Sequence, residues 1–393
     1  MLKAGQYFKN KNEWNRHLDR VSGSGGHVPK FLYKAIEQQA VDPFSSEYTN
    51  FKRENLHFRG RNFQNFSELA RFSFNNSQSI YEFENDVKSE IVRLANMSAI
   101  RFISEREATA PDSIISPLQW VRQFKPDGSV KSRLIFHSKA NTLYTRPRFS
   151  LTDIGAEVHC VAKFNALVKV DETDCFYQFG ITADARKLLR FKLDFPGEPV
   201  VYGEWLCLVM GLSSSPYLVH HSNRFLVESY TLHTGLYADC FLDDIWAEFR
   251  DGVVQFDNFC SNLGIHFKAS KKEVGAEINL LGIDIDLQNK LAFIPSQKAS
   301  IIELEATRLL SAGAVSPAIL SAFVGRLEFA SKITFLGRTK SASLVSLLAD
   351  FVAGGGDVVS DEICLSLRES DMAELLFWRH IKELFARVDH ARK

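Results

Sequence analysis

Several features that would place this chain in a membrane or in the secretory pathway are missing from its sequence. No run approaches the ~18 uncharged apolar residues that a membrane span needs, and residues Met1 to Trp14 are too polar for a signal peptide. Acidic and basic residues are balanced, with 47 of each, so charge of neither sign dominates. These absences predict an intracellular protein without a membrane partner, and they argue against nucleic-acid binding by bulk charge alone.

Cysteine is sparse and is not arranged for a metal or disulfide framework. No two of the six cysteines form a CxxC pair; they are Cys160, Cys175, Cys207, Cys240, Cys260 and Cys364. Structural zinc and a disulfide scaffold are therefore not expected. We expect reduced thiols that are mostly buried.

The composition is that of a folded protein with more than one domain. Apolar residues make up 45% of the 393 residues and charged residues 24%, which excludes wholesale disorder. At roughly 100–200 residues per domain, the length predicts two or three domains. The 32 phenylalanines are expected to serve mainly as core.

Basic residues are concentrated in one segment. Between Trp120 and Arg148 the single acid is Asp127, against these basic residues: Arg122, Lys125, Lys131, Arg133, Lys139, Arg146 and Arg148. A patch of this kind suits phosphate groups. A solvated basic face without a ligand has the same composition, so charge alone leaves both interpretations open.

Local patterns predict a mixture of strands and helices. Residues 1–62 are polar and lack a strong apolar period, which indicates an extension with short helices at most. Apolar residues recur at helical spacing from Ser79 to Ala95. Two β-rich runs on either side of a Pro-Asp-Gly turn predict a hairpin over residues 118–136. From Gln297 onwards the pattern is again helical.

Three acidic residues lie where predicted strands end. A run of β-formers at 166–170 leads directly to Asp171, and Asp243 and Asp244 lie at the tip of a second predicted hairpin, over residues 238–249. Carboxylates at the ends of neighbouring strands can hold the two Mg²⁺ ions that phosphoryl transfer to a growing nucleic acid requires. Aspartate is also a common turn residue, so an Asp-Asp turn alone does not establish a metal site.

The order of four motifs is similar to that in the palm of reverse transcriptases. The motifs are a strand that ends on Asp171, then GLSSSP from Gly211, FLDD from Phe241 and LGI from Leu263. They most resemble retroelement enzymes of the LTR and DIRS/Ngaro kind, over about residues 86–384. The resemblance implies a right-hand polymerase of the α+β class, with fingers, a palm whose antiparallel sheet packs on helices, and a helical thumb.

The resemblance also implies domain boundaries. They are an N-terminal extension at 1–62, fingers at 63–165, a palm at 166–295 with a fingers insertion near 182–205, a thumb at 296–352, and a C-terminal helical linker at 353–393. A ribonuclease H domain is not expected within these residues.

A catalytic metal site is implied within the palm motifs. Asp171, Asp243 and Asp244 would bind two Mg²⁺ ions, for which Mn²⁺ can substitute, with help from the backbone carbonyl of Glu172. A departing pyrophosphate also needs a proton, and the family motif that follows the metal ligands supplies it from a lysine.

Lys271 is the implied proton donor, because its spacing from Gly264 fits that motif better than the spacing of Lys272 does. A solvated loop lysine is the alternative interpretation of Lys271. Further along, Leu281 and Gly282 resemble the hairpin that grips the 3′ end of the primer.

Other residues are implied to contact the incoming nucleotide. Phe176 stands where the family has an aromatic steric gate against a ribose 2′-hydroxyl, although a core phenylalanine beside a strand would look the same in the sequence. Met210 and Gly211 correspond to the motif that packs on the template-paired nucleotide. The predicted hairpin resembles the fingers hairpin that closes on the triphosphate, with these phosphate contacts: Lys125, Lys131 and Arg133.

Together these motifs predict an RNA-directed DNA polymerase of retroelement replication, a nucleotidyltransferase. Its expected partners are an RNA template, a DNA primer or RNA–DNA hybrid, and dNTPs, in the cytoplasm, the nucleus or both. Ribonuclease H and integrase or recombinase functions would come from another chain. Two alternatives remain open: a polymerase of the same fold that makes RNA or copies DNA, and a domesticated, non-catalytic module that binds RNA or a protein.

Overall fold

Helices and short antiparallel strands are interspersed along the chain in the computed structural model, which describes residues 3–124, 128–334, 337–360, 363–383 and 386–387. The helices are α1 Lys11–Gly23, α2 Lys30–Gln38, α3 Phe66–Arg71, α4 Gln78–Glu82, α5 Glu84–Asn96, α6 Glu105–Ala108, α7 Ala140–Leu143, α8 Ile154–Val161, α9 Cys175–Gln178, α10 Ala183–Arg186, α11 Ser215–Thr234, α12 Phe256–Phe259, α13 Ser296–Ala312, α14 Pro317–Ala330, α15 Ala342–Ala353 and α16 Glu369–Trp378.

Most strands are short and pair with antiparallel neighbours. They are β1 Leu56–Phe58, β2 Arg61–Phe63, β3 Ile100–Ile103, β4 Leu118–Phe124, β5 Val130–Phe136, β6 Leu167–Asp171, β7 Arg190–Leu193, β8 Val201–Trp205, β9 Ala238–Phe241, β10 Asp244–Glu248, β11 Glu273–Gly275, β12 Glu277–Leu280, β13 Ile283–Asp286, β14 Leu291–Phe293, β15 Ala314–Val315, β16 Leu365–Ser366 and β17 Ala386–Arg387. This mixture confirms the predicted α+β class.

The chain divides into two compact units. Unit 1 comprises Met1–Leu151, Val168–Ala247 and Asp251–Lys272. Unit 2 comprises Thr152–Leu167, Glu248–Arg250 and Glu273–Lys393.

The part of unit 1 that carries the predicted carboxylates is a small sheet with one helix against it. Strands β6, β10 and β9 are neighbours in that order, and β9 and β10 form an antiparallel hairpin. Helix α11 starts with a proline in its first turn, ends on the left-handed residue Gly235, and contacts β9. Its buried face includes Leu218, Phe225 and Leu226. Because the sheet rests on a packed helix, the strand ends are held in a fixed relation to each other.

The N-terminal segment is part of the core of unit 1, although the sequence suggested a polar extension with short helices. Helix α1 has 13 residues and buries Trp14 and Val21. The ring of Tyr7 stacks on Phe179 with a centroid separation of 3.8 Å. The apolar residues of this segment are few, so they form no long sequence period, but several are large aromatic rings that fill core space. They bury large areas despite their small number.

Unit 2 combines a hairpin sheet with a group of helices. Strands β12, β13, β14 and β17 are neighbours in that order, and helix α13 contacts α14 and α16. The carboxylate of Glu374 accepts hydrogen bonds from the backbone N–H groups of Ser343 and Leu344, at 2.8 and 3.0 Å. This ties helix α16 to the start of α15, whose first N–H groups would otherwise lack acceptors.

The predicted strands agree with the structure better than the predicted helix boundaries do. The hairpin over residues 118–136 is confirmed as β4 and β5, and the hairpin over 238–249 as β9 and β10. The helix predicted over 79–95 is interrupted at Phe83, between α4 and α5. The last predicted helix spans residues 371–388, whereas α16 runs from Glu369 to Trp378.

Two further predictions concern membranes and thiols. In the ranges that the structure describes, no helix has both the length and the apolar character to cross a membrane. The six cysteines are free, and four of them are buried: Cys175, Cys207, Cys240 and Cys260.

Candidate functional site

A cavity of about 310 Å³ in unit 1 brings together most of the residues that the sequence singled out. Eight of the predicted site residues line it: Lys131, Arg133, Asp171, Glu172, Phe176, Met210, Asp243 and Lys271. They come from five separate stretches of the chain, so their convergence is a property of the fold. This cavity is the candidate functional site.

The remaining predicted residues lie elsewhere. Asp244 begins β10, directly after Asp243, but it does not line the cavity. Gly211 lines a neighbouring cavity of about 320 Å³. Leu281 and Gly282 form the turn between β12 and β13 in unit 2. Lys125 lies outside the described residues.

Backbone hydrogen bonds fix the two carboxylate-bearing strand ends against each other. The N–H of Glu172 donates to the carbonyl of Asp243 at 3.2 Å, and the N–H of Lys268 donates to the carbonyl of Asp171 at 2.8 Å. Leu242, just before Asp243, has a φ of +58°. A left-handed leucine is strained, so the surrounding structure must hold this turn in place.

The charges of these groups are strongly coupled. The Lys271 ammonium donates to Oδ2 of Asp171 at 2.5 Å. Burial, and then the negative charges of Asp244 and Asp171, raise the pKa of Asp243 above its ordinary value. A cation placed between Asp171 and Asp243 would therefore relieve a real repulsion.

Glu172 is buried, although it borders the cavity. Its side chain is 2% exposed, and Oε2 accepts a hydrogen bond from the Cys175 thiol at 2.9 Å. Burial, together with the charges of Asp243 and Asp171, raises the pKa of Glu172 to about 8. The carboxyl is thus engaged inside the protein, which leaves the backbone carbonyl as the atom for the predicted metal contact.

The donor chemistry suits a hard divalent cation, but the donors are not preassembled. Carboxylate and carbonyl oxygens are the ligands that Mg²⁺ prefers. Among the described residues, no group of three His, Cys, Asp or Glu side chains is arranged to hold a metal ion. In addition, the Lys271 ammonium occupies a carboxylate oxygen of Asp171 that a cation would use.

A basic wall of the same cavity comes from strand β5. Lys131 and Arg133 are two residues apart on β5, so they lie on the same face of the strand. Arg133 Nη1 donates to Gln123 Oε1 across the hairpin at 3.0 Å, while Lys131 is exposed. A ligand in the cavity would therefore meet both carboxylates and cations.

Phe176 belongs to the cavity wall. It lies on the short helix α9 and is half-buried, whereas its neighbours Cys175 and Tyr177 are buried. Its side chain therefore borders the space that a ligand in the cavity would fill.

Gly211 lets two backbone segments approach closely. Its φ is +107°, and a Cβ atom at this position would overlap the carbonyl oxygen of Phe136. The N–H of Phe136 donates to the carbonyl of Met210 at 2.9 Å. A glycine here joins the end of β5 to the loop before α11, so the basic hairpin is attached close to the palm motifs.

Three buried polar side chains that support the site were not identified from the sequence: Tyr7, Gln178 and Asn223. Gln178 donates to the carbonyls of Thr173 and His266 at 2.8 and 2.9 Å and accepts from the N–H of His266 at 2.8 Å. It therefore ties the segment after Asp171 to the segment that leads to Lys271. No sequence pattern marks such residues, because their partners are distant backbone groups.

Comparisons with known proteins give structural matches alone. No family model and no curated protein matches the sequence. Three solved structures of the foamy viral protease-reverse transcriptase match the fold. Its dRH form in complex with dsDNA is 14% identical, has a TM-score of 0.57, and is matched over 95% of this chain and 60% of that chain.

The other two structures give a similar result. The protein in complex with an RNA/DNA hybrid is 13% identical, with a TM-score of 0.56 over 96% of this chain and 46% of that chain. The protein in complex with dsDNA is 13% identical, with a TM-score of 0.53 over 95% of this chain and 71% of that chain. This chain thus spans 60% of the length of the first of the three.

At 13–14% identity the matches establish the fold, and by themselves they do not show the activity. They cover nearly the whole chain. The chain has a reverse-transcriptase-like polymerase fold, as the order of its motifs predicted.

Proposed function

We propose that this chain is an RNA-directed DNA polymerase, which extends the 3′ end of a primer with dNTPs during the replication of a retroelement of the LTR or DIRS/Ngaro kind. The observation that carries the proposal is the cavity that Asp171 and Asp243 line together with Lys131 and Arg133, within a reverse-transcriptase-like fold. Carboxylates for cations and cations for phosphates are the two requirements of nucleotidyl transfer.

Asp171 and Asp243, with the carbonyl of Glu172 and with Asp244 in support, are the residues that would hold Mg²⁺ or Mn²⁺. Bound there, the two ions would activate the primer hydroxyl and neutralise the leaving pyrophosphate. Arg133 and Lys131 would bind the triphosphate, and the fixed strand ends would orient the primer terminus against it. Phe176 would exclude the ribose 2′-hydroxyl.

Lys271 has two interactions in the proposed reaction, one with Asp171 and one with the phosphates. In the structure it pairs with Asp171, and it lies close enough to the basic wall to line the same cavity. When Asp171 serves as a metal ligand, the Lys271 ammonium would be available to donate a proton to the departing pyrophosphate. The Lys272 ammonium instead forms an ion pair with Oδ2 of Asp257 at 2.7 Å, and Lys272 does not line the cavity. Both observations favour Lys271 as the proton donor.

The β12–β13 turn of unit 2 is the proposed primer grip. Leu281 and Gly282 both have positive φ, +51° and +83°, as in the two-residue type I′ turn of a hairpin. The ammonium of Lys298 donates to the carbonyl of Gly282 at 3.1 Å and stabilises the turn. A turn of this kind offers backbone groups to the sugar-phosphate chain of a primer.

The proposal is tested by single-nucleotide extension of a labelled DNA primer on matched RNA and DNA templates, with Mg²⁺ or Mn²⁺. We expect extension on RNA, and a loss of about 10³-fold or more in Asp243→Asn, because a metal-binding carboxylate is removed. Asp112→Asn, which removes a surface partner of Lys187, is the control. Full extension by Asp243→Asn would refute the proposal, and the two templates distinguish an RNA-copying from a DNA-copying enzyme.

A non-catalytic module that binds RNA or a protein is the second candidate. The specific observation in its favour is the Lys271–Asp171 ion pair, which neutralises the acidic cluster without a metal. Retention of Asp171, Asp243 and Asp244 argues against it, because clustered acids would weaken binding to phosphates. Salt-dependent binding of primer-template with no incorporation in Mg²⁺ or Mn²⁺ would favour this second function.

A further inference from the structure

The N-terminal segment reaches the proposed catalytic turn through two buried side chains. We propose that Asn223, oriented by Tyr7, is a positioning residue that fixes the peptide bond before Asp243. This inference rests on the proposed polymerase function for its catalytic meaning. Its structural part, a brace between the N-terminal segment and the turn, is independent of that function.

The turn needs a brace because its backbone is strained. Leu242 adopts a φ of +58°, in the left-handed region. Glycine tolerates this region because it has no Cβ atom, whereas leucine is strained there. Without external contacts, the peptide unit between Leu242 and Asp243 would relax toward a more populated conformation. Such a rotation would move the Asp243 carboxylate out of the cavity.

Asn223 holds this peptide directly. Its Nδ2 donates to the carbonyl oxygen of Leu242 at 2.8 Å. The Leu242 carbonyl and the Asp243 N–H belong to one rigid plane, so a contact that fixes the carbonyl also fixes where the backbone of Asp243 begins. On the other side of Asp243, its own carbonyl accepts from the N–H of Glu172 at 3.2 Å. Asp243 is therefore restrained at both of its peptide bonds.

Tyr7 sets the orientation of the Asn223 amide. The Tyr7 hydroxyl lies 2.5 Å from Oδ1 of Asn223. A backbone carbonyl can only accept, so Nδ2 must point to Leu242, Oδ1 must point to Tyr7, and the hydroxyl must donate. Both side chains are fully buried, and water therefore cannot replace either partner.

Tyr7 is itself rigid. Its ring stacks on Phe179, its N–H donates to the carbonyl of Gln178 at 3.0 Å, and its carbonyl accepts from Trp14 Nε1 at 2.7 Å. The brace thus runs from the first residues of the chain, through helix α11, to the turn that carries Asp243. This gives the N-terminal segment a role at the site that its polar composition does not suggest.

Hydrogen exchange of the full chain, followed by mass spectrometry, tests the brace without relying on activity. The variants are Tyr7→Phe, Asn223→Ala and the double variant, and the readout is the peptide that covers residues 238–248. We expect about tenfold faster exchange in Tyr7→Phe, because a buried acceptor loses its donor while the ring stack is kept. The double variant should match Asn223→Ala, since Tyr7 acts through Asn223.

Tyr230→Phe is the matched control. Tyr230 is also buried, lies on the same helix as Asn223, and donates to the backbone carbonyl of Val254 at 3.0 Å, away from the cavity. We expect this variant to leave exchange at 238–248 unchanged. Unchanged exchange in Tyr7→Phe, or an equal increase in Tyr230→Phe, would overturn the inference.

Primer extension then tests the catalytic meaning of the brace. We expect Tyr7→Phe to lower kcat about tenfold, with the KM for dNTP and the Kd for primer-template changed less than twofold, because the proposed metal-binding carboxylate is displaced while the groups that bind nucleotide and primer-template are intact. Faster exchange with unchanged kcat would overturn the positioning role. If the unmodified chain extends no primer, the proposed function fails, while the exchange result still decides whether the brace exists.

Discussion

The two walls of the candidate cavity are built in opposite ways. On the acidic wall, the side chain of Asp171 is 11% exposed, and its strand end is tied by backbone hydrogen bonds. On the basic wall, Lys131 is exposed and projects from a two-stranded hairpin whose turn lies outside the described residues. One wall is fixed by the core, and the other extends from it.

The difference follows from what each wall would bind. Cation ligands must be held within a fraction of an ångström, so they need a buried framework that does not relax. Phosphate contacts act over longer distances and must admit and release a substrate, so long side chains on an exposed hairpin suit them. The acidic wall is therefore expected to be sensitive to small structural changes, and the basic wall to changes of charge.

The largest effect is expected where the two walls meet. Gly211→Ala would place a Cβ against the carbonyl of Phe136 at a φ of +107°, which would push the hairpin away from the palm motifs. We expect kcat/KM for primer extension to fall about 100-fold or more. Gly252→Ala is the control, since Gly252 also has a positive φ of +76° but no neighbour within 4 Å. Equal losses in both variants would mean that backbone strain alone lowers kcat/KM, and that the close contact between Gly211 and Phe136 does not contribute.

The next effect concerns selectivity on the acidic wall. Phe176 is half-buried and lines the cavity beside Asp171. If its ring excludes the ribose 2′-hydroxyl, Phe176→Ala should raise kcat/KM for rNTPs about tenfold or more, with dNTP use little changed. Single-nucleotide kinetics with matched dNTP and rNTP measure the ratio. An unchanged ratio would assign Phe176 to packing.

A smaller effect is expected on the basic wall. Arg133→Ala should raise the KM for dNTP about tenfold with kcat changed less than threefold. The variant loses a charge-assisted contact that is equally strong in the bound substrate and in the transition state. Arg122→Ala is the control, since Arg122 lies on the other face of the hairpin, over the ring of Phe83. A fall in kcat at constant KM in Arg133→Ala would show that this wall, too, positions the reacting groups.

The last effect is on stability and not on activity, at the base of the basic hairpin. The Lys139 ammonium is fully buried and donates to the carbonyls of Leu69 and Phe72, at 3.2 and 2.6 Å. Burial lowers the pKa of Lys139 to about 8. A folded pKa below the unfolded value means that the unfolded chain binds more protons between pH 8 and about 10.5, so Lys139 adds stability as the pH rises through this window.

Lys139→Met removes this titration. Between pH 7.5 and pH 10, the free energy of unfolding of the unmodified protein should therefore rise by about 1–3 kcal/mol more than that of the variant. Urea unfolding of both proteins at the two pH values measures the difference. A pH-independent difference would show that Lys139 keeps its ordinary pKa in the fold.

Local sequence patterns predicted the elements that depend on near neighbours. The β4–β5 hairpin follows from a Pro-Asp-Gly turn between β-rich runs, and β6 follows from the apolar run before Asp171. The break at Phe83 was not predicted, because the apolar period continues through α4 and α5. The burial of Tyr7 and Trp14 was also missed, since isolated aromatic residues in a polar segment produce no period.

The motifs in the sequence determined the candidate chemistry: which carboxylates, which basic residues and which lysine belong together. Side-chain type and order along the chain carry that information, because chemistry depends on the groups present. The tertiary structure alone decided that Lys271 pairs with Asp171, that Glu172 turns its carboxyl inward, and that Asn223 holds the turn before Asp243. These contacts join residues between 3 and 100 positions apart, through burial and backbone geometry that no local pattern records.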